Sequence, residues 1–215
     1  MLVLAVIAQK GGVGKSMLAR SLAVQGLIDG LKTAILDADP QGTVLAWSRR
    51  RTLPAPAVMA LDGKTIAAAV SQFAARGADL LLIDTPPHAQ PIISMAATAA
   101  SAALLVTGPY PEDLEQVGTA ASIVQSLGTQ SGIILNKTPP KAHALTLARA
   151  ALTAFHIPIC PTALTQLVSH PYASAEGMTV QEREPHSKAS AEVAGAWAWI
   201  KTNILVSLDT NKLAS

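Results

Sequence analysis

Gln9-Lys10-Gly11-Gly12-Val13-Gly14-Lys15-Ser16 decides how the rest of the chain reads. Before it runs Leu2 to Ala8, an apolar segment that reads as a buried strand. After it comes Met17 to Asp29, a helical stretch with Leu18, Ser21/Leu22, Gln25 and Ile28 on one face and Gly30 as its C-cap. Strand, glycine-rich turn, Lys-Ser and helix is the setting of a phosphate-binding loop. The glycines let backbone N–H groups approach phosphate oxygens with no Cβ in the way. The helix N-terminus adds unpaired N–H groups and partial positive charge. Lys15 is placed to neutralise the β- and γ-phosphates, and the Ser16 hydroxyl to ligate Mg²⁺.

Working outward, Thr33 to Leu36 reads as a second strand that runs into Asp37-Ala38-Asp39-Pro40-Gln41-Gly42. Open α/β sheets take ligands beyond the carboxyl ends of their strands. Alternate residues of an extended segment face the same way, so Asp37 and Asp39 do. Asp-Pro and Gly are also turn formers, so the residues alone leave a ligand-facing pair and a plain turn both open. Asp79 to Asp84 is the next strong strand, and its run Leu80-Leu81-Leu82-Ile83 implies burial on both faces. Asp84-Thr85-Pro86-Pro87 then resembles a Walker B segment, with Asp84 able to hold Mg²⁺ through water.

The loop departs from the general motif in two places. Gln9 stands where a glycine belongs, and Lys10 adds a second lysine. Lys-Gly-Gly-Val-Gly-Lys-Ser resembles the deviant Walker A of the ParA/MinD family, and Asp-x-Asp-Pro-Gln resembles that family's second signature. The resemblance implies an ATPase that sandwiches two ATP molecules and Mg²⁺ between two copies. It implies that Lys10 reaches the partner's phosphates, that Asp39 positions the attacking water, and that Asp37 joins Asp84 and Ser16 around the metal. Lys10, Lys15 and Asp39 are then the catalytic set. Gly11, Gly12, Val13, Gly14, Lys15, Ser16 and Met17 hold the nucleotide.

The rest of the chain alternates strands and helices. Thr43 to Arg51 reads as a short helix ending in Arg49-Arg50-Arg51. That triplet suits either a solvated helix C-terminus or a phosphate-contacting patch on DNA. Ala57 to Leu61 reads as a strand, Lys64 to Arg76 as a helix and Pro91 to Ala100 as a helix. Ala102 to Thr107 is a buried strand. Tyr110-Pro111-Glu112-Asp113 opens a helix with Leu114, Val117, Ala121, Val124 and Leu127 on its core face. Gly132 to Leu135 ends in Asn136-Lys137-Thr138-Pro139. A GTPase would carry aspartate where Pro139 stands. The family sets the corresponding asparagine against adenine, which makes Asn136 a base contact and ATP the nucleotide. A plain loop asparagine is the alternative. Ala142 to Phe155 reads as a helix and Ile157 to Leu164 as the last strand. A final helix puts Val193, Trp197, Ile200 and Ile204 in the core, with Trp199 off that stripe, either packed on a neighbour or facing a partner. Lys188 and Lys201 are further basic candidates for DNA, and Asp209 to Ser215 reads as a frayed end.

The expected architecture is therefore α/β, a mostly parallel twisted sheet of about seven strands with helices on both faces, in one domain over residues 1–208. With 215 residues, 50% of them hydrophobic and 14% charged, the chain has enough material for a sizeable core. No apolar run reaches the roughly 18 residues a spanning helix needs, and no signal peptide is legible. A cytoplasmic protein, nucleoid-associated when ATP-bound, is expected. Net charge is +2, which permits nucleic-acid binding without demanding it. Aromatics are 3%, too few for stacking platforms, and the five histidines show no metal-ligand spacing. The lone Cys160 excludes an iron–sulfur role. The resemblance points to non-specific double-stranded DNA binding by the ATP-bound homodimer, released by hydrolysis that a ParB-like or adaptor protein stimulates. That cycle would segregate a plasmid or chromosome, or position another cargo. A MinD-like membrane-surface ATPase is one alternative, although Ile204 to Ser215 lacks a basic amphipathic face. An ATP-dependent metabolic ligase of the same superfamily is the other.

Overall fold

Apolar runs of five or six residues separated by helices can only bury both faces by lying side by side under two layers of helix. In the computed structural model, which describes residues 1–140 and 142–205, they do so. Leu2–Ile7 (β1), Thr33–Asp37 (β2), Ala57–Ala60 (β3), Leu80–Asp84 (β4), Ala102–Thr107 (β5) and Ser131–Leu135 (β6) form one sheet, ordered β3-β2-β4-β1-β5-β6. Every neighbouring pair is parallel. The order reverses direction at β1, so the loop that follows it opens at the topological switch point.

Strand parity sorts the core into two layers. Leu4, Val6, Ile35, Leu80, Leu82, Leu104 and Ile134 pack on one face with Lys15–Ile28 (α1), Thr43–Ser48 (α2) and Lys188–Asn203 (α9). Val3, Ala5, Ile7, Leu36, Leu81, Ile83 and Leu105 pack on the other with Ile66–Ala75 (α3), Gln90–Ala99 (α4), Pro111–Ser126 (α5) and Ala142–Leu152 (α6). Short helices Ser169–Ala175 (α7) and Val180–Arg183 (α8) lead from the last irregular segment to α9. Helix α1 ends as its sequence suggests. Gly30 adopts φ 83°, and the N–H groups of Gly30 and Leu31 return to the carbonyls of Leu27 and Gly26 at 3.0 and 2.9 Å.

The sheet has six strands, not about seven. Residues 157–166 run along the open edge of β6 with isolated bridges, Ile133 to Ile159 and Thr138 to Thr165, and a backbone bond from the Leu164 N–H to the Leu135 carbonyl at 2.9 Å, but no continuous ladder. Pro158 and Pro161 lack backbone donors and cannot sustain a ladder. Two apolar positions also differ from the periodic reading. Ile28 and Leu127 are exposed, because each sits at a helix end beyond the neighbouring layer. Val193, Trp197, Ile200 and Ile204 are all buried as expected. Trp199 packs against the core, its ring filling the space that Gly132 leaves open. No helix among the described residues is long and apolar enough to cross a membrane. The stretch Asp209 to Ser215 lies outside the described residues.

Candidate functional site

The loop after β1 turns on two glycines in the left-handed region, Gly12 at φ 80° and Gly14 at φ 95°. Gly14 is needed for closeness as well as conformation. A Cβ there would lie 2.2 Å from Asn136 Nδ2. Around the loop opens a cleft of about 900 Å³, within the range of ligand sites. Gly11, Gly12, Gly14, Lys15, Ser16 and Met17 line one wall. Asp39, Gln41 and Thr43 line a second, and Asn136, Lys137 and the segment Thr165 to Ser174 a third. Val13 is buried and turns its side chain into the core.

Lys15 is 6% exposed. Burial pulls its amine below the usual lysine range, while the charges of Asp84 and Asp39 oppose that shift. Asp84 sits at the end of β4, 0% exposed, with no backbone donor to either carboxylate oxygen. Burial pushes its acid up to about 7; hydrogen bonding from the Ser16 side chain and the charge of Lys15 oppose the shift, and Asp37 and Asp39 add to it. Asp37 is its direct partner in the β2–β4 register. Asp37 Oδ2 accepts the Leu45 N–H at 2.8 Å and Oδ1 the Asp39 N–H at 3.3 Å, which ties the start of α2 to the sheet. Burial raises this carboxyl too, against those backbone donors. Asp39 is only half-buried, and its Oδ1 accepts the Gln41 N–H at 2.9 Å.

A buried carboxylate that has only the Ser16 hydroxyl and the Lys15 ammonium beside it calls for a cation, and these residues fit one. No group of three or more His, Cys, Asp or Glu among the described residues would hold a metal unaided. A hard cation held by the Ser16 hydroxyl, one or two carboxylates, water and phosphate oxygens matches the habit of Mg²⁺.

Asn136 is 1% exposed, and its Nδ2 donates to the Val13 carbonyl at 2.8 Å. Its Oδ1 is buried without a partner and remains an acceptor at the cleft. Lys10 does not line the cleft; its ammonium pairs with Asp113 at 2.7 Å.

The basic candidates separate. Arg49 and Arg50 are exposed at the end of α2. Arg51 turns inward, its side chain 3% exposed, forked onto Glu182 at 2.7 and 3.0 Å and stacked 4.5 Å over Trp47. Lys188 is exposed and lies 3.6 Å from Glu192. Lys201 pairs with Asp29 at 2.6 Å.

Sequence reasoning missed Arg20. It is buried beside the cleft, with Nε donating to the Ser16 carbonyl at 3.0 Å and a terminal nitrogen to Ser174 Oγ at 2.8 Å. It lies 5.4 Å from the Trp47 ring, which Arg51 also approaches. Burial lowers its guanidinium to about 10. Helix α1 is buried almost all round, so no polar face marked this residue.

The structure is similar to several solved proteins. Cell division ATPase MinD of Pyrococcus furiosus shares 18% identity at a TM-score of 0.74, over 93% of this chain and 98% of that one. Apo McdA of Cyanothece shares 18% at 0.73, over 91% and 98%. A candidate plasmid partition protein of Borrelia burgdorferi, bound to AMPPNP, shares 13% at 0.72, over 92% and 97%. At these identities the likeness is one of fold. No curated protein sequence matches the chain. The family model for the CobQ/CobB/MinD/ParA nucleotide binding domain matches residues 4–180. With the loop, the paired strand-end aspartates and the reversal at β1 all within that span, the chain belongs to this family, whose ParA/MinD branch consists of P-loop ATPases.

Proposed function

We propose that the protein is a ParA-like ATPase whose ATP- and Mg²⁺-bound dimer binds duplex DNA without sequence preference and lets go after hydrolysis. The observation that carries this reading is the pair of lysines in one loop. Lys15 is buried in the cleft, whereas Lys10 stands outside it, 39% exposed and open to phosphates that a second copy would bring. In this reading Lys15 and the loop amides cradle the phosphates while Ser16, Asp84 and Asp37 hold Mg²⁺. Asp39, half-exposed at the cleft wall, orients water for in-line attack. Charge placed from another chain is worth roughly 10³–10⁵ in rate for P-loop enzymes. A ParB-like or adaptor protein would then time release, and so move a plasmid, chromosome or other cargo. Arg49 and Arg50 are the exposed cations of the α2 end and the first DNA contacts to replace.

Binding of random-sequence duplex DNA and of anionic liposomes, each with ATP, ADP or no nucleotide at stated salt, tests the reading. DNA binding that requires ATP and falls with salt is expected. ATP-dependent binding to liposomes alone would replace it with a membrane-surface role. Binding to neither would point to a small-molecule ligase. Asp39→Ala should keep ATP binding and dimerisation and lose turnover on the order of 10²-fold or more; normal hydrolysis by that variant would remove Asp39 from its role.

A further inference from the structure

Lys10 faces the first turn of α5 rather than the cleft. Its ammonium lies 2.7 Å from Asp113 Oδ1. Asp113 is nearly buried and stands where a helix N-terminus favours a carboxylate. Gly108 makes room for it, because a Cβ there would lie 2.0 Å from Asp113 Oδ2. Hydrogen bonding to Asp113, with its charge and that of Glu112, holds the Lys10 amine above its ordinary range. Beside the pair is a cavity of about 10 Å³, where Gln9 Nε2 and Gln116 Oε1 are buried with no partner. The ion pair is thus the polar tie between the first half of the loop and α5 at this seam.

We propose that Asp113 is a positioning residue that holds Lys10 on its own subunit until the phosphates of a second copy draw it away. The proposal rests on the reading above, in which Lys10 acts in trans. A half-exposed ion pair is weak enough to be exchanged. A nucleoside triphosphate carries more charge than a diphosphate and reaches one phosphate further, so it competes with Asp113 where a diphosphate does not. Asp113 thereby makes association of two copies depend on the γ-phosphate.

The test is dimerisation by analytical ultracentrifugation, with ATP and with ADP, for wild type, Asp113→Asn and Asp113→Glu, each with and without Lys10→Ala. Acylation of Lys10 by an amine-reactive reagent is followed in parallel by mass spectrometry. Asp113→Asn should dimerise with ATP at about two- to fivefold lower protein concentration, gain dimer with ADP, and acylate faster at Lys10. Asp113→Glu should behave as wild type. With Lys10→Ala in place, Asp113→Asn should change nothing. If Asp113→Asn folds poorly, Gly108→Ala displaces the same carboxylate and should move dimerisation and acylation in the same direction. Wild-type dimerisation and acylation in the Asp113→Asn variant, or equal weakening with and without Lys10, overturns the handover alone. A wild-type chain that stays monomeric with ATP overturns the trans reading and the handover with it.

Discussion

On one side of the phosphate loop, β2 and β4 end in Asp37, Asp39 and Asp84; on the other, β5 and β6 end in Thr107, Asn136 and Thr138. The neutral half is nearly complete in itself. Thr107 Oγ1 donates to the Gly108 carbonyl at 3.1 Å, Thr138 Oγ1 to Leu164 at 3.1 Å and Asn136 Nδ2 to Val13 at 2.8 Å. The acidic half is incomplete: Asp84 is wholly buried with no backbone donor to its oxygens, beside only the Ser16 hydroxyl and a lysine that burial has already weakened as an acceptor of protons. Unsatisfied buried charge is costly, so the acidic half gives up stability for a place where cation and phosphate can finish the structure. The neutral half gives shape to the cleft at little such cost.

Lys15→Ala breaks the contrast most severely, because it leaves the three carboxylates without their cation. Triphosphate affinity should fall on the order of a hundredfold or more, measured by calorimetry. Unchanged affinity would remove the cleft as the nucleotide site.

Asp84→Asn tests the incomplete half from the other direction. The folded-state acid titrates at about 7 against an ordinary value of 3.8. Its raised value means that the folded chain binds this proton more tightly than the unfolded chain, so stability from this group is lost as pH rises from about 4 to about 7. The full penalty, present above pH 7, is roughly 4 kcal/mol at 1.36 kcal/mol per unit. In the absence of nucleotide and metal, the variant should unfold at higher temperature than wild type at pH 8 and at nearly the same temperature at pH 4. It should also lose the Mg²⁺ dependence of nucleotide affinity. An unfolding midpoint at pH 8 no higher than that of wild type would show that Asp84 is not held against its charge.

Asn136→Ala sharpens the comparison at smaller scale. It removes the donor to Val13 and the spare acceptor together, and nucleotide affinity should fall about tenfold. Loss of stability with affinity intact would make Asn136 a strut for the loop and nothing more.

Much of this was legible before any coordinates. The loop, Asp37 to Gln41 and Asp84 are local patterns, set by neighbours within a few residues, and the same holds for the Gly30 helix end. What escaped depends on residues far apart in sequence. Arg51 reads as the last of three solvated arginines until Glu182, on α8, closes around it. Lys10 reads as a loop lysine until α5 supplies Asp113. The lack of a ladder at Ile157 to Leu164 is legible in principle, since Pro158 and Pro161 interrupt the donors that its apolar composition would otherwise line up. Arg20 had no local signal, since a helix enclosed on all sides carries no polar stripe.

Trp47 turns part of this architecture into an optical instrument. Its indole is wholly buried, with Arg20 at 5.4 Å and Arg51 at 4.5 Å from the ring centre and Nε1 donating to the Met178 carbonyl at 3.1 Å. Arg20 is bonded to the backbone of Ser16, one turn into α1 from the phosphate loop. Emission from an indole depends on the field across its ring, and two guanidinium groups contribute to that field here. One is anchored to Ser16 and the other to Glu182. With Trp197 and Trp199 replaced by phenylalanine, Trp47 would report ligand arrival through a shift in its emission maximum, with no attached dye.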